Sequence, residues 1–374
     1  MPDFENKMPS DTDCGQAEGT AASDSAQDTG CGTVSVPSYS LSGEPLLPKR
    51  RTPPKGIRSN LPDRKIVPSY YIVFDLEWNQ CPYGKGRENK SLPFEIIDIG
   101  AVKLDRDLNV IDIFHQFVRP TVYRTLHYRT RDVIGISRRE LDSGMLFPDA
   151  ARAFFRWCGR DYIFCTWGDQ DLLELQRNLS YYGLLGLLPG PVFFEDAQKL
   201  FAIAFENRQK RRSLAYAAEH LSIAQTREFH RAYDDAAYTA LVVQKLPLRV
   251  LQYDYSIDCY QHPMKKEEEI RLFYDRYEKY ISREFPSKES AMHDKEVTAL
   301  RCIVCGRNVK RLLRWTAKGG RHYIAVGKCA NHGYAYGRIR VKFTEDGDLY
   351  VEKITRTAEE AEAAAELGLH GVTI

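Results

Sequence analysis

The stretch "YIVFDLEWNQ", residues 71–80, combines the pattern of a buried β-strand with two acidic side chains. Side chains alternate along a strand, so Asp75 and Glu77 point to the same face, which they share with Val73. Two carboxylates side by side at the end of an apolar strand repel each other and lose hydration unless a cation lies between them. The stretch therefore predicts a strand that ends in a cation site.

The length and composition of the chain are those of a soluble protein with several domains. Its 374 residues allow two or three domains of about 100–200 residues each. The chain is 43% hydrophobic and 28% charged, and no apolar run approaches the roughly 18 residues that a membrane span needs. We find no positively charged start followed by an apolar stretch, so we expect no secretory signal and a cytoplasmic location. The nine cysteines are then expected to be reduced thiols or metal ligands.

Charge is distributed unevenly along the chain, although the net charge is only +2. Residues 1–30 carry seven acids and one lysine, whereas residues 300–343 carry eleven Lys or Arg and no acid. Residues 1–64 are rich in Ser, Thr, Gly, Asp and Pro without helical or strand period, and we expect them to be disordered. Within them, "LLPKRRTPPKG" is a basic patch that contacts a polyanion or, in the second interpretation, is a solvated linker.

An α/β domain is expected over residues 66–248. "YYIVFDLEW" predicts the first strand, and "FEIIDIGAVKLD" and "VIDIFHQFV" predict a hairpin that follows it. Further periodic segments predict, in chain order, the helix "FPDAARAFFRWCG", the strand "YIFCTWG", the helix "DLLELQRNLSYYGL", the strand and helix "PVFFEDAQKLFAIAFE", and the helices "SLAYAAEHL" and "RAYDDAAYTALVVQKL". Three early strands followed by this alternation indicate a mixed sheet flanked by helices.

Three segments follow this domain. Residues 249–297 are expected to form a helical connector, because "MKKEEEIRLFYDRYEKYISREF" has the pattern of a charged amphipathic helix. Residues 298–351 are expected to form a small β-rich module. The tail, residues 352–374, contains the short Ala/Glu helix "TAEEAEAAAELGL".

Two further acids and a histidine are placed to complete a metal site at the end of the first strand. Asp171 in "TWGDQDLLEL" opens a helix directly after a strand and a Gly turn, which favours the carboxyl edge of the sheet. Asp235 shares a helical face with Thr239 and Val242, and His230 lies at or just before the start of that helix. Mg²⁺ and Mn²⁺ prefer carboxylate and water oxygens, and a neutral imidazole takes a proton from water near neutral pH. Four carboxylates and one histidine suit two-metal phosphodiester hydrolysis.

Each of these elements, taken singly, has another interpretation. A D-x-E pair on a strand is more often solvent-facing than catalytic. A histidine before a helix is more often a cap or a surface residue. The order and context of the elements along the chain favour the catalytic interpretation.

The same segments resemble the exonuclease motifs of the DEDDh 3′–5′ exonucleases, the superfamily of ribonuclease T and of the proofreading subunit of bacterial DNA polymerase. The resemblance is carried by "FDLEWN", "FEIIDIGAVKLD", "TWGDQDLLEL" and "HRAYDDA", and "IGIS" at residues 134–137 resembles the family's Gly-Ile-Thr segment. It covers residues 70–246 and implies an RNase H-like mixed sheet. The second of these segments is most similar to the Eri-like and KapD-like branch, which implies a single-stranded substrate with RNA favoured over DNA.

The resemblance also implies the role of each site residue. The family's ligands for two Mg²⁺ or Mn²⁺ ions fall on Asp75, Glu77, Asp171 and Asp235, and its general base falls on His230. Asp169 is a rival for Asp171, but the family's acid is followed by apolar residues, as only Asp171 is. Asp234 is a rival for Asp235, but only Asp235 has the His-x-x-x-x-Asp spacing.

Trp78 stands where many family members have a small or hydroxyl residue beside the terminal nucleotide. We interpret it as a stacking surface for the terminal base. The other interpretation is a core tryptophan on the strand face opposite Glu77. The departure leaves the sugar preference open, because recognition of a 2′-hydroxyl depends on contacts in this neighbourhood.

The basic C-terminal segment contains two pairs of zinc-type ligands, Cys302 and Cys305, then Cys329 and His332. Their spacing is that of a zinc ribbon with a tetrahedral Cys₃His site, and Gly306 and Gly333 let the chain turn behind each pair. His322 is a second candidate for the fourth ligand. Four protein ligands leave no open position, so we expect structural zinc. The other interpretation is a set of unrelated thiols and a surface histidine.

The same segment predicts a surface for single-stranded nucleic acid. Its basic residues are interleaved with aromatic ones, and basic side chains contact phosphates while aromatic rings stack on bases. The expected contacts include Arg311, Arg314, Trp315, Lys318 and Arg321. A basic surface for an acidic protein partner is the other interpretation. The run "NRQKRRS", residues 207–213, extends the same track or is an ordinary charged loop.

We therefore expect a 3′–5′ exonuclease that hydrolyses single-stranded nucleic acid, with RNA favoured and a C-terminal zinc module that tethers the strand. A DNA-directed repair or proofreading exonuclease is one alternative, because it uses the same five residues. A non-catalytic binding protein with a retired nuclease fold is the other, and it would bind strands without releasing nucleotides.

Overall fold

A computed structural model describes residues 67–371, except residues 207, 209, 226–230, 275, 345 and 346. The segment predicted to be disordered, residues 1–64, lies outside the described residues, as does its basic patch. Among the described residues, no helix has the length and apolar character that a bilayer span requires.

A six-stranded mixed sheet forms the first part of the described chain. Its strands are β1 (Tyr70–Gln80), β2 (Phe94–Leu104), β3 (Val110–Phe117), β4 (Tyr162–Thr166), β5 (Val192–Asp196) and β6 (Ser256–Asp258). They lie in the order β3-β2-β1-β4-β5-β6, with β1, β4 and β5 parallel and the other neighbours antiparallel. The predicted hairpin of β2 and β3 is confirmed. Strand β6 extends the sheet past residue 248, where the sequence predicts the first domain to end.

Helices cover both faces of this sheet. They are α1 (Tyr128–Ile134), α2 (Arg138–Ser143), α3 (Phe147–Cys158), α4 (Gln170–Tyr181), α5 (Ala197–Phe205), α6 (Leu214–His220), α7 (Ala232–Lys245) and α8 (Leu248–Tyr253). Phe74 of β1 packs with residues of α3 and α4, and its neighbour Val73 packs with residues of α5, α7 and α8. Alternate residues of one strand thus supply both cores, as a strand buried on both faces requires. The predicted α/β class with a mixed sheet is confirmed.

A second sheet of six strands, all antiparallel, follows the first. Its elements are β7 (Ile270–Phe273), β8 (Tyr277–Ile281), α9 (Lys288–His293), α10 (Lys295–Thr298), β9 (Lys310–Ala317), β10 (His322–Cys329), β11 (Gly333–Phe343), β12 (Leu349–Ala358) and α11 (Glu360–Leu369). The strand order is β7-β8-β12-β11-β10-β9. Helix α11 confirms the predicted tail helix. The sheet combines strands from both sides of residue 298, where the sequence predicts a boundary.

The helix predicted for residues 264–285 is wrong, because the segment forms the β7–β8 hairpin. Glu278 and Tyr280 occupy alternate positions of β8 and are buried, and Arg271 of β7 pairs with Glu278. Burying an apolar side chain contributes about 1.5–3 kcal/mol, whereas helix propensities differ by only about 0.7 kcal/mol per residue. Packing of β8 against β12 therefore outweighs the helical tendency of the Lys and Glu residues.

Helix α7 approaches the sheet very closely at Gly100 of β2. A Cβ atom at this position would lie 2.1 Å from the backbone nitrogen of Tyr233 and 2.2 Å from the carbonyl carbon of Ala232. Gly100 pairs with Asp75 across the β1–β2 ladder. A residue without a Cβ is therefore required where the first turn of α7 crosses the sheet beside Asp75.

We expect Gly100→Ala to lower the free energy of unfolding by about 3 kcal/mol or more, because backbone rather than a flexible side chain must move. Urea denaturation of the purified variant measures the change. Gly86→Ala is the matched control, since a Cβ there would meet nothing within 4 Å. Equal stability of the two variants would show that α7 does not depend on this approach.

Candidate active site

Three carboxylates converge where β1 meets the first turn of α7. One oxygen atom from each of Asp75, Glu77 and Asp235 lies within 4.8 Å of the other two. Asp75 and Glu77 come from alternate positions of β1, and Asp235 comes from the first turn of α7. The buried stripe of α7 orients Asp235, since Thr239 and Val242 are 1% and 0% exposed.

Asp171 adjoins this cluster from the start of α4. Its side chain is buried, and its Oδ1 accepts a hydrogen bond from the backbone N–H of Leu76 at 3.1 Å. Burial and then the negative charge of Asp171 raise the pKa of Asp75 well above its ordinary value. The rival Asp169 is exposed at the N-cap position of α4, whereas Asp171 is bonded to Leu76, so Asp171 is the acid of this pair that faces β1.

The acid cluster is electrostatically unfavourable without a cation. Burial, then the charges of Asp235 and Asp98, raises the pKa of Glu77 to about 8. Burial likewise raises the pKa of Asp171 to about 7. A divalent cation reverses this effect by favouring the ionised carboxylates, and Mg²⁺ and Mn²⁺ bind such oxygens. The donor set therefore fits either of these metals.

Asp98 and His115 extend the cluster in a way that our sequence analysis missed. Asp98 lies opposite Glu77 in the β1–β2 ladder and is fully buried. Nε2 of His115, on β3, lies 2.9 Å from Oδ1 of Asp98, and this contact raises the pKa of His115. The sequence does contain a signal, because an acid inside the apolar run "FEIIDIGAV" resembles the pattern that identifies Asp75.

Asn79 holds a loop at the carboxyl end of β1. Its side chain is 0% exposed, and its Nδ2 donates to the carbonyl oxygens of Tyr123 and Thr125 at 2.8 and 3.0 Å. Its Oδ1 accepts from the backbone N–H of His127 at 2.9 Å. All these bonds are to backbone groups, so Asn79 fixes the path of residues 123–127 at the carboxyl end of β1.

The predicted general base, His230, lies outside the described residues, and its role stays a prediction. The next residue, Arg231, caps α7. Its guanidinium opposes the rise in the pKa of Glu77 that burial causes. A cation thus accompanies the acids at the start of α7.

The four predicted zinc ligands come together at the end of the β10–β11 hairpin. One ligand atom from each of Cys302, Cys305, Cys329 and His332 lies within 4.8 Å of the other three. Nδ1 of His332 lies 3.6 Å from Sγ of Cys302 and 3.5 Å from Sγ of Cys329. The backbone N–H of Asn331, the largest influence, lowers the pKa of the Cys329 thiol to about 6, which favours the thiolate that zinc binds.

The turns behind these ligand pairs have the expected glycine geometry. Gly306 and Gly333 have φ angles of +71° and +76°, which confirms that each turn uses a left-handed residue. His322 begins β10, whereas Cys329 ends it, so His332 is the histidine that joins the cluster. Among the cysteines that the structure describes, none forms a disulfide.

The basic side chains predicted to contact nucleic acid lie on β9 and the turn that follows it. Arg311 and Arg314 belong to β9, which is an edge strand, and both are exposed. Lys318 and Arg321 follow in the turn to β10 and are also exposed. These positions are accessible to a strand, and their role as contacts stays a prediction.

The two predicted tryptophan contacts are less accessible than these charges. Nε1 of Trp315 donates to the carbonyl oxygen of Thr298 at 2.8 Å, and its ring is so close to Gly337 that a Cβ there would lie 2.6 Å from it. Trp78 is half-buried, with its ring 5.8 Å from that of Phe94. Base stacking by either ring stays a prediction.

Part of this chain is similar in sequence and in fold to known nucleases. Residues 72–243 match the RNase T family model, described as an exonuclease. The probable 3′–5′ exonuclease KapD of Bacillus subtilis (strain 168) is 28% identical over 186 residues, which cover 49% of this chain and 86% of KapD. The structure of cell-death related nuclease 4 aligns at 17% identity and a TM-score of 0.43, over 55% of this chain and 75% of its own. The nuclease domain of 3′hExo, a DEDDh family member bound to rAMP, aligns at 22% identity and a TM-score of 0.42, over 51% of this chain and 96% of that domain.

The raised pKa of Glu77 predicts how the stability of the metal-free protein depends on pH. Between its ordinary value of 4.5 and about 8, the folded state binds the proton more tightly than the unfolded chain does. The free energy of unfolding should therefore fall as pH rises through this interval. Glu77→Gln should flatten the fall and raise the melting temperature at pH 8 by several degrees.

Thermal melts in EDTA between pH 5 and pH 8 measure this effect. Glu219→Gln, an exposed substitution on α6, is the matched control and should follow the native curve. Saturating Mg²⁺ should also reduce the slope, because a bound cation favours the ionised cluster. Parallel curves of melting temperature against pH for the native protein and Glu77→Gln would contradict the raised pKa of Glu77.

Proposed function

We propose that this protein is a 3′–5′ exonuclease of the DEDDh superfamily that degrades single-stranded RNA by a two-metal mechanism. The match of residues 72–243 to the RNase T exonuclease model and the similarity to KapD support this proposal. The observation that carries the mechanism is the convergence of Asp75, Glu77 and Asp235 within 4.8 Å. Three half-buried acids at this separation are suited to bind divalent cations beside a phosphodiester.

Asp75, Glu77, Asp171 and Asp235 would hold the two ions, Mg²⁺ or Mn²⁺. When bound, these metals polarise the scissile phosphate, lower the pKa of water and stabilise the leaving 3′-oxygen. The chain contributes rigidity, because Asp75 and Glu77 project from a paired strand and Asp171 is oriented by the N–H of Leu76. Ligands held in this way need little rearrangement when substrate binds.

His230 is our proposed general base. It directly precedes Arg231, the residue that caps α7, and Asp235 of the same helix joins the acid cluster. A neutral imidazole accepts the proton of the attacking water.

The preference for RNA is supported by the similarity of "FEIIDIGAVKLD" to the Eri-like and KapD-like exonucleases. A second support is the loop of residues 123–127, which Asn79 ties to the end of β1. We propose that this loop contacts the 2′-hydroxyl, the group that distinguishes RNA from DNA.

The Cys₃His cluster supports a structural zinc site. Its four ligand atoms already lie together, and four protein ligands leave no position for a reacting water. The site joins the turn at Cys302 and Cys305 to the β10–β11 hairpin, so the metal would stabilise the second sheet. That sheet carries the basic residues that we propose to tether the strand.

The first test is incubation of the protein and Mg²⁺ with 5′-labelled single strands of RNA and DNA of matched sequence. We expect RNA to be shortened from its 3′ end and DNA to be shortened more slowly. Equal or faster shortening of DNA would keep the mechanism and overturn the RNA preference. Intact strands of both kinds would overturn the proposed activity.

Asp235→Asn should retain strand binding, and its rate of hydrolysis should fall by more than about 100-fold. Mutation of residues that only support a metal ligand typically costs roughly 10–100-fold, so loss of a ligand should cost more. The reason is that the substitution removes a carboxylate from the cluster without changing its size. The rate of 3′ shortening and the affinity in EDTA measure the two effects. Asp234→Asn, at the neighbouring acid, is the control, and comparable losses in the two variants would contradict the assignment of Asp235.

The zinc proposal predicts an equimolar zinc content in the purified protein, measured by inductively coupled plasma mass spectrometry. Cys305→Ser should lose the metal and lower the melting temperature, because metal-binding energy contributes to folding. Cys81→Ser, a buried cysteine of the first domain, should retain the zinc. Protein that contains no zinc, or an unchanged content in Cys305→Ser, would contradict this site.

A further inference from the structure

A basic cleft with a volume of about 570 Å³ lies between the first domain and the second sheet. Of the described residues that line it, seven are basic and none is acidic. One wall carries Arg208, Lys210 and Arg211 from the run after α5, and the other carries Arg276, Arg338 and Arg356 from the second sheet. Like charges from two walls that face each other repel, so this arrangement favours an anion between them.

Much of this charge is not neutralised by the protein. Lys210, Arg276 and Arg338 are exposed and form no salt bridge with any residue that the structure describes. The other three arginines have acidic partners: Arg208 with Asp254, Arg211 with Asp196 and Arg356 with Glu362. Both walls therefore contribute cations that remain available to a ligand.

A row of basic residues on β11 continues the basic cleft. Arg338, Arg340 and Lys342 occupy alternate positions, so they lie on one face at intervals of about 7 Å. This interval is similar to the separation of consecutive phosphates in an extended single strand. Arg340 and Lys342 line a second cavity of about 760 Å³, which shares Lys199 and Arg211 with the basic cleft.

The second cavity extends to the start of α4. Its lining includes Asp169 and Gln170, which directly precede Asp171. Most of its acids are engaged by other side chains: Asp196 by Arg211, Asp258 by Gln176, Glu284 by His262 and Glu352 by Lys279. The two cavities share lining residues and so form one groove, which leads from the unneutralised cations of the basic cleft to the start of α4, the helix that carries Asp171.

We propose that this groove binds the 5′ part of the substrate strand, with phosphates of nucleotides upstream of the scissile bond in the basic cleft. A 3′–5′ exonuclease holds the 3′ end at its metals, so the remaining strand must leave along another surface. Tyr277 and Tyr336 also line the basic cleft, with one face of each ring covered by Tyr274 and by Arg356, respectively. The inference rests on the proposed function, and it assigns tethering to the β11 face in addition to β9.

The test is fluorescence anisotropy with a long, unstructured, 5′-labelled RNA in EDTA, where binding is measured without hydrolysis. Lys210→Glu/Arg338→Glu alters both walls of the basic cleft at exposed positions. We expect the Kd of this variant to rise at least about tenfold at low salt. The slope of log Kd against log salt concentration should fall by about 1.4, because each of the two lost phosphate contacts contributes about 0.7. A trinucleotide, which cannot span the groove, should show a much smaller change.

Arg152→Glu/Arg156→Glu is the charge-matched control, because both residues are exposed on α3. Native affinity and salt slope in the cleft variant, or an equal loss in the control, would overturn the inference. Displacement of RNA by polyglutamate as effectively as by unlabelled RNA would assign the groove to an acidic polypeptide and also overturn it. A native protein that binds RNA through the groove but shortens no strand would contradict the exonuclease mechanism alone.

Discussion

The approach of α7 to the sheet at Gly100 is the constraint on which the candidate active site depends. Because Gly100 has no side chain, the backbone of Ala232 and Tyr233 occupies the space that a Cβ atom at position 100 would need. The first turn of α7 then crosses beside Asp75, and Asp235 joins acids that belong to a strand more than 150 residues earlier. Glycine in a strand interior normally weakens the strand, so its presence here reflects close packing rather than strand stability.

The acids brought together in this way oppose folding until a cation is bound. Burial and mutual repulsion raise the pKa of Asp75, Glu77 and Asp171, which means that the ionised forms are disfavoured. The rest of the domain must compensate, and the two apolar cores on either side of β1 supply the burial that does so. A site that is strained when empty and relieved by metal is a common arrangement in catalytic centres.

The second sheet combines apolar burial, a metal-type ligand cluster and exposed basic residues. Its strands bury their apolar sides against α9, α10 and α11, and its β10–β11 hairpin ends at the Cys₃His cluster. The exposed positions of β11 are free to carry cations, so the face toward the first domain becomes basic. A chain with a net charge of only +2 thereby separates an acid cluster from a basic groove within one molecule. Such separation suits a polyanion that must pass one surface to reach the other.

The sequence by itself determined the features that depend on local period and spacing. Strand alternation placed Asp75 and Glu77 together, helical period placed Asp235 on a buried face, and ligand spacing identified the Cys₃His cluster. Only the tertiary structure decided that residues 270–281 form a hairpin, that Asp98 pairs with His115, and that cations from two distant segments share one cleft. These outcomes depend on contacts between residues far apart in the chain, where local propensity is weaker than the burial and pairing that the folded partners supply.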